Sequence, residues 1–208
     1  SYHSELADWN FEKDKLYKIR LEFYEPVGNA HIRLVWNQGI HDNTTQKIKQ
    51  AVAIAKQSDA VIIVAGINEG EFRDRALLSL PGKQEELIQA VAATGKPVIV
   101  LLVGGSAITR NSWINKVKSI VDIWYPGEAG GDAVADMLFG KTNPGGKLPV
   151  TFPVHEGQLP LVYDHKPTGR GDDYNNLSGQ PLFPFGFGLS YTSFEFSNMK
   201  LSKAAINR

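Results

Sequence analysis

Residues 95–104, GKPVIVLLVG, decide the fold, because six consecutive apolar side chains leave this segment without a face for water. A strand with one solvated face alternates apolar and polar residues, whereas a continuous apolar run is typical of a strand covered on both faces. Strands of that kind occur mainly in parallel sheets flanked by helices. We therefore predict that these residues form a buried strand of a mostly parallel sheet.

Similar apolar runs lie before and after this strand. Residues 60–66, AVIIVAG, precede it, and residues 118–127, KSIVDIWYPG, follow it. Between the first two runs, Leu87, Ile88 and Val91 recur at helical spacing. Strands that alternate with helices predict βαβ units. The expected fold class is α/β, with a mostly parallel sheet covered by helices on both faces, which is an α/β sandwich.

Further helices are predicted around these units. Apolar residues at 48, 51, 52 and 55 form one helical stripe, and the C-terminal glycine of another helix is suited to a C-cap. The first of these helices begins at Asn43 or Thr44, and a second, short helix passes Trp113. A third runs from about Gly131 to Phe139 and ends before Gly140.

The N-terminal part follows a different period. From residue 16 to residue 36 apolar and polar residues alternate, and EPVGN interrupts the alternation at residues 25–29. This period of two predicts an antiparallel β-hairpin with one buried face. An isolated hairpin is marginally stable in water, so we expect its apolar face to be covered from elsewhere.

Composition excludes several classes of protein. The 22 basic and 22 acidic residues balance, so no overall field attracts nucleic acid or an anionic membrane. The chain has no cysteine, its five histidines lack metal-ligand spacing, and no segment approaches the length of a membrane span. The opening SYHSELADWN resembles neither a signal peptide nor a natural start, so we expect a piece of a longer chain.

A charge-dense stretch, NEGEFRDR at residues 68–75, follows the first predicted strand. It therefore lies at the carboxyl edge of the sheet, where functional groups of open parallel sheets gather, together with VGGSA and WYPGEAGGD after the other two strands. A carboxyl group in this stretch could act as a general acid if burial raised its pKa. In the alternative interpretation, Arg73, Asp74 and Arg75 neutralise one another in a purely structural loop. Composition alone leaves both open.

Several collinear stretches resemble one enzyme family. They include NEGEFRDR, LSLPGKQEELIQAV, WYPGEAGGDAVADMLFGKTNPGGKLPVTFP and PLFPFGFGLSYTSFEFS, in this order. They resemble the C-terminal α/β sandwich domain of glycoside hydrolase family 3, the β-glucosidases and their relatives, from about residue 43 to residue 197. The predicted hairpin is similar to the last strands of a protective-antigen-type β-sandwich, which some family members carry as an insertion.

The resemblance implies three parts of the chain and one activity. Residues 1–40 would be a β-hairpin remnant, residues 41–197 the α/β sandwich domain, and residues 198–208 a linker towards an absent fibronectin type III domain. The activity implied is that of a retaining exo-β-glycosidase, β-glucosidase-like, acting on a β-linked oligosaccharide or glucoside. Neither a metal nor an organic cofactor is expected, and the implied location is periplasmic or extracellular.

The resemblance also implies site residues. In the family, a nucleophilic Asp comes from a separate (β/α)₈ barrel domain, and the acid/base Glu often lies in an E-G-x-D-R context. That context maps onto Glu71, although Phe72 follows it instead of glycine, and Glu69 is the fallback. The barrel domain of the same enzyme is therefore the expected partner. Residues expected to support the loop or lie beside the substrate are Asp74, Arg75 and Trp124.

Other interpretations are weaker or excluded. Asp8 precedes Trp9 as the family's nucleophile precedes Trp, but SYHSEL is not a barrel strand, so Asp8 is rejected and the isolated chain is expected to be inactive. FGKT at residues 139–142 lacks the preceding strand and following helix of a phosphate loop. The remaining alternative is a non-catalytic carbohydrate-binding or scaffold module.

Overall fold

The computed structural model describes residues 7–24, 32, 34, 43–72, 74–166 and 172–203. Helices and strands alternate along the central part of these residues, as the apolar runs predict. In chain order the elements are α1 (Thr44–Lys56), β1 (Val61–Gly66), α2 (Gln84–Ala92), β2 (Val98–Val103), β3 (Ser119–Asp122) and α3 (Gly130–Leu138), with 3₁₀ turns at Ile114–Lys116 and Glu156–Gln158. The fold is therefore α/β.

The three strands form one parallel sheet in the order β1-β2-β3. The run that decides the fold supplies its central strand, and Val61 pairs with Val98 while Ile99 pairs with Ser119. Val98, Val100, Leu101 and Leu102 of β2 are at most 3% exposed, which agrees with a strand buried on both faces. Parallel strands carry their loops to the same edge, so the segments after β1, β2 and β3 begin side by side.

One face of the sheet packs against α1 and α2. The core there is apolar, and burial of each of its Val, Leu or Ile side chains stabilises the fold by about 1.5–3 kcal/mol. Its members include Ala55, Ile63, Ala65, Ile88, Val91, Val98, Val100, Leu102 and the fully buried Trp113.

The opposite face is covered unevenly. Ile120 packs into the core, so strand alternation directs Ile123 to the other side, where it lines a groove with Val134 and Met137 of α3. Ile62 and Val64 of β1 point to the same side and remain 52% and 66% exposed. Within the described residues, α3 therefore shields the β3 end of this face, and β1 stays bare.

The helix ends follow the predicted caps in part. Asn43 is the N-cap residue of α1, although its side chain makes no capping hydrogen bond. Gly140, with φ +76°, follows α3, and its N–H donates to the Met137 carbonyl at 3.0 Å. The segment after Trp113 forms a 3₁₀ turn and not a longer helix.

The predicted hairpin is not shown. Residues 7–24, which hold its first half, contain no helix or strand. Most of its second half lies outside the described residues, at positions 25–31, 33 and 35–42. A strand acquires its hydrogen bonds from a neighbour, so alternation alone does not produce one.

The C-terminal part is largely irregular. Phe152 and Phe183 form an isolated antiparallel bridge, and the ring of Phe187 stacks on Phe183 at 4.6 Å between centroids. No helix in the described part of the chain is long and apolar enough to cross a membrane.

Candidate active site

The loops that follow the three strands meet at the carboxyl edge of the sheet. The Tyr125 hydroxyl, from the loop after β3, accepts a hydrogen bond from the Glu69 N–H at 3.2 Å and lies 3.3 Å from the Ile67 carbonyl, both in the loop after β1. The Gly104 N–H, after β2, donates to the Trp124 carbonyl at 3.3 Å. The predicted convergence of three loops is therefore present.

Glu69 lies at the centre of this contact and is enclosed by donors. Its Oε2 accepts from the Gly105 N–H at 2.6 Å, and its Oε1 accepts from the Ser106 hydroxyl. The Arg75 guanidinium lies 3.4 Å from Oε1, and the Tyr125 hydroxyl lies 3.4 Å from Oε2. Only 21% of the side chain remains exposed. This carboxylate therefore joins all three loops.

The surroundings of Glu69 favour its charged form. Burial raises the pKa of the Glu69 carboxyl, but the hydrogen bonds from Ser106 and Gly105, the charge of Arg75 and the Tyr125 hydroxyl together hold it below its ordinary value. A general acid needs a pKa near the working pH and a proton to give. Glu69 is instead held as an ionised acceptor.

Gly105 is required by this arrangement. A Cβ atom at this position would lie 2.8 Å from Glu69 Oε2 and 3.0 Å from the Tyr125 ring. Any larger residue would therefore push the carboxylate away from the N–H that binds it. This contact gives the second glycine of VGGSA a physical reason.

Arg75 and Glu156 anchor the base of the loop after β1. The Arg75 guanidinium donates to the Ser106 hydroxyl at 2.7 Å and to the Ala107 carbonyl at 3.3 Å. The Glu156 carboxylate accepts from the Leu78 N–H. Burial raises the pKa of Glu156, but that hydrogen bond, its own backbone N–H and the charges of His155 and Arg75 lower it overall.

Sequence reasoning missed Glu156, which is 78 positions away from Leu78. Its local sequence, VHEGQ, contains no pattern that predicts a partner in another loop. The contact arises from the tertiary fold alone.

The tip of the loop projects beyond these anchors. Glu71 and Asp74 are exposed, and Arg73 lies outside the described residues. Phe72 has φ +61°, a left-handed conformation that costs a non-glycine residue on the order of 1–3 kcal/mol. The structure thus places Glu69 and Arg75 inside the network that joins the loops, and Glu71 outside it.

Trp124 connects the site to the interior. Its backbone is also left-handed, with φ +53°, and its half-buried ring packs edge-on against Phe152 at 6.2 Å between centroids. The Arg110 guanidinium lies 5.1 Å from the Phe152 ring centroid and pairs with both oxygens of Asp122 at 3.0 and 3.1 Å. The loop after β3 therefore begins on a rigid, buried support.

Chemically, the site offers the exposed carboxyl groups of Glu71 and Asp74 above a rigid base. Hydrolysis of a glycosidic bond with retention needs two carboxyl groups about 5–5.5 Å apart. Glu69, saturated with donors, cannot turn towards a substrate without breaking the contact between the loops.

Comparisons with known sequences agree with the resemblance to glycoside hydrolase family 3. A sequence model of the family described as "Glycosyl hydrolase family 3 C-terminal domain" matches residues 12–191. A β-xylosidase from Formosa agariphila is 42% identical over 185 residues, which cover 85% of this chain and 25% of that protein. A periplasmic β-glucosidase from Salmonella typhimurium is 39% identical over 174 residues, which cover 77% and 23%.

Solved structures share the fold. The crystal structure of a β-glucosidase from Listeria innocua in complex with gluconolactone matches with a TM-score of 0.69 at 30% identity, over 72% of this chain and 23% of that one. The chain spans about a quarter of the length of the curated relatives it matches.

Proposed function

Because the chain belongs to glycosyl hydrolase family 3 and carries the C-terminal domain of that family, we propose that it supplies the general acid/base of a retaining exo-β-glycosidase. Glu71 is the residue proposed for this role. In the first step it protonates the leaving oxygen, and in the second it removes a proton from the attacking water. The nucleophilic Asp comes from a (β/α)₈ barrel domain outside these 208 residues.

The contrast between Glu69 and Glu71 carries this proposal. Glu69 is an ionised acceptor of four donors and joins the loops. Glu71 projects from the tip of the same loop, where a barrel domain and its bound sugar could approach. Closure of such a site would remove water from Glu71, and burial of that kind raises a carboxyl pKa towards the range that a general acid needs. Glu69 is thus the weaker candidate.

The substrate proposed is the non-reducing end of a β-linked oligosaccharide or glycoside. The sugar that is released is glucose or xylose, since the relatives include a β-xylosidase and a β-glucosidase. The description of the Salmonella relative as periplasmic supports a periplasmic or extracellular location for this protein.

The domain boundaries that we propose are those predicted from the sequence. Residues 41–197 form the α/β sandwich domain, and residues 1–40 are the end of a protective-antigen-type β-sandwich inserted into it. Residues 198–208 lead towards a fibronectin type III domain.

The experiment replaces Glu71 by Gln in the polypeptide that combines this chain with its barrel domain. We expect kcat/KM for cellobiose or xylobiose to fall by about 10²–10⁴-fold, because these leaving groups need a proton. Turnover of a 2,4-dinitrophenyl glycoside, whose leaving group needs none, should then be limited by the second step. Azide, which attacks without a general base, should restore it and yield the glycosyl azide.

Glu69→Gln is the matched control, because it changes the same group two residues away. It should lower activity on activated and unactivated substrates alike and show no rescue by azide. If Glu71→Gln kept the parental activity while Glu69→Gln responded to azide, the role would pass to Glu69. Loss without azide rescue in both variants would reject the acid/base proposal for this loop.

A further inference from the structure

Arg110 is a charged residue in the interior of the protein. Only 1% of its side chain is exposed, and 21% of the side chain of its partner, Asp122, is exposed. The guanidinium donates to the two carboxylate oxygens of Asp122 at 3.0 and 3.1 Å, and its Nε donates to the Ile108 carbonyl at 3.1 Å. Two parallel hydrogen bonds between a planar guanidinium and a carboxylate fix orientation as well as distance. The ion pair therefore holds Asp122 in one geometry.

Aromatic rings hold the guanidinium in place. Its Cζ atom lies 5.1 Å from the centroid of the Phe152 ring and 5.6 Å from that of Phe183, distances at which a cation and an aromatic ring attract each other. Phe152 is 1% exposed, and its ring also packs edge-on against Trp124 at 6.2 Å between centroids. One buried ring thus contacts both the ion pair and the loop after β3.

Stability alone gives little reason for two charges at this position. Removing them from water is costly, and apolar residues of similar volume often stabilise an interior as well as a buried ion pair does, or better. Apolar contacts lack direction, however, whereas the bonds between Arg110 and Asp122 have it. The pair therefore indicates a requirement for a defined position of Asp122.

The position of Asp122 affects the whole loop after β3. Asp122 is the last residue of that strand, and Trp124, two residues later, has a left-handed φ of +53°. This backbone conformation is unfavourable for a non-glycine residue, so surrounding contacts must hold it. The Trp124 carbonyl accepts from the Gly104 N–H, and the hydroxyl of the next residue, Tyr125, accepts from the Glu69 N–H. The ion pair is thus connected to the loop after β1.

We propose that Arg110 and Asp122 are positioning residues of the active site, whose ion pair holds the turn at Trp124 and, through Tyr125, the loop that carries Glu71. This inference rests on the proposed role of Glu71. A proton donor works only within hydrogen-bond reach of the glycosidic oxygen. A displacement of about 1 Å can lower the rate by about 10²-fold, so a loop that is held less firmly loses acid catalysis before it loses its fold.

The test uses the polypeptide that includes the barrel domain. The double variant Arg110→Met, Asp122→Leu removes both charges together and leaves no unpaired buried charge, so its fold should be kept. Arg110→Lys keeps the charge but lacks the planar fork. Val91→Ala is the control for lost stability, because Val91 is a buried core residue of α2 and has no part in the ion pair.

The quantity measured is the ratio of kcat/KM for the disaccharide, cellobiose or xylobiose, to kcat/KM for the corresponding 2,4-dinitrophenyl glycoside. Only the disaccharide needs a proton on its leaving group, so the ratio reports acid catalysis and not the general condition of the enzyme. We expect the ratio to fall by about tenfold or more in the double variant and by about threefold in Arg110→Lys, and to stay within about twofold of the parent in Val91→Ala. The melting temperature should fall in Val91→Ala and stay near the parental value in the double variant.

Three results would overturn the proposal. An unchanged ratio in a folded double variant would mean that the pair only supports the interior. Equal losses on both substrates would place its effect outside acid catalysis, and a ratio that fell as far in Val91→Ala would follow from lost stability. If the double variant did not fold, the ratio of Arg110→Lys would decide. The acid/base proposal fails separately, in the Glu71→Gln and azide experiment, so the two failures are distinguishable.

Discussion

Glu69 and Glu71 carry the same functional group and are separated by one residue, yet their surroundings differ. Glu69 is enclosed by donors from all three loops, and Glu71 stands in solvent. Two glutamates so close in sequence could not be assigned from the sequence alone, since three of the donors to Glu69, Gly105, Ser106 and Tyr125, are 36, 37 and 56 positions away in the chain. The resemblance to an E-G-x-D-R context indicates this loop, but the environment of each carboxylate depends on tertiary contacts.

At this scale the pH dependence of stability follows from two lowered pKa values. Glu69 and Glu156 both have folded-state pKa values below the ordinary glutamate value. The stability that they contribute is therefore fully present above the unfolded-state pKa of about 4.3 and is lost as the pH falls through the lowered values. We expect the free energy of unfolding of the 208-residue chain to decline between about pH 5 and pH 3.

Urea unfolding at several pH values measures this slope. The double variant Glu69→Gln, Glu156→Gln should be less stable than the parent at neutral pH and should show a flatter pH dependence. A control variant at the exposed Glu128, Glu128→Gln, should keep the parental slope. If the double variant kept that slope as well, the two hydrogen-bonded carboxylates would not be its source.

At the scale of elements, strands and helices were predictable because their signals are local. The apolar run of β2 and the helical spacing of Ile88 and Val91 lie in single segments, and the structure confirms the corresponding elements. The bare side of β1 was not predictable, because VIIVAG reads as a strand covered on both faces. What covers a strand is a property of the rest of the fold.

Gln84 links two of these elements in a way that sequence patterns do not reveal. Its Oε1 accepts from the Gly66 N–H at 2.8 Å, and its Nε2 donates to the Gly66 carbonyl at 2.9 Å. The first residue of α2 therefore pairs with the last residue of β1 through its side-chain amide, and it fixes where the loop carrying Glu71 begins.

We expect Gln84→Ala to lower the free energy of unfolding by about 1–3 kcal/mol, because it leaves half-buried polar groups of Gly66 without partners. Gln89→Ala, on the same helix, removes an exposed hydrogen bond to Lys116 and should cost less than about 1 kcal/mol. Equilibrium unfolding in urea compares the two. Equal costs would show that the pairing with β1 adds nothing beyond a surface contact.

At the scale of the whole molecule, the proposed function gives the chain one half of a catalytic pair. The 208 residues alone should therefore show no turnover of 4-nitrophenyl β-glucoside or β-xyloside above the buffer rate, because the second carboxyl group must stand about 5–5.5 Å from the first. Addition of the barrel domain should restore activity. Robust turnover by the chain alone would contradict the proposal.

The same sample distinguishes the alternative function. Titration with glucose or cellobiose, followed by tryptophan fluorescence, reports on Trp124 and the other three tryptophans. Saturable binding by the chain without a barrel domain would favour a non-catalytic carbohydrate-binding module. Absence of binding would agree with an incomplete active site.

The exposed side of β1 affects how the protein associates in solution. Ile62 and Val64 are exposed, and within the described residues β1 is bonded to a strand on one side only. An uncharged, proline-free edge of this kind is a template on which strands of other molecules can grow into cross-β aggregates. We therefore expect the purified 208-residue chain to self-associate, and light scattering should accompany every assay of it.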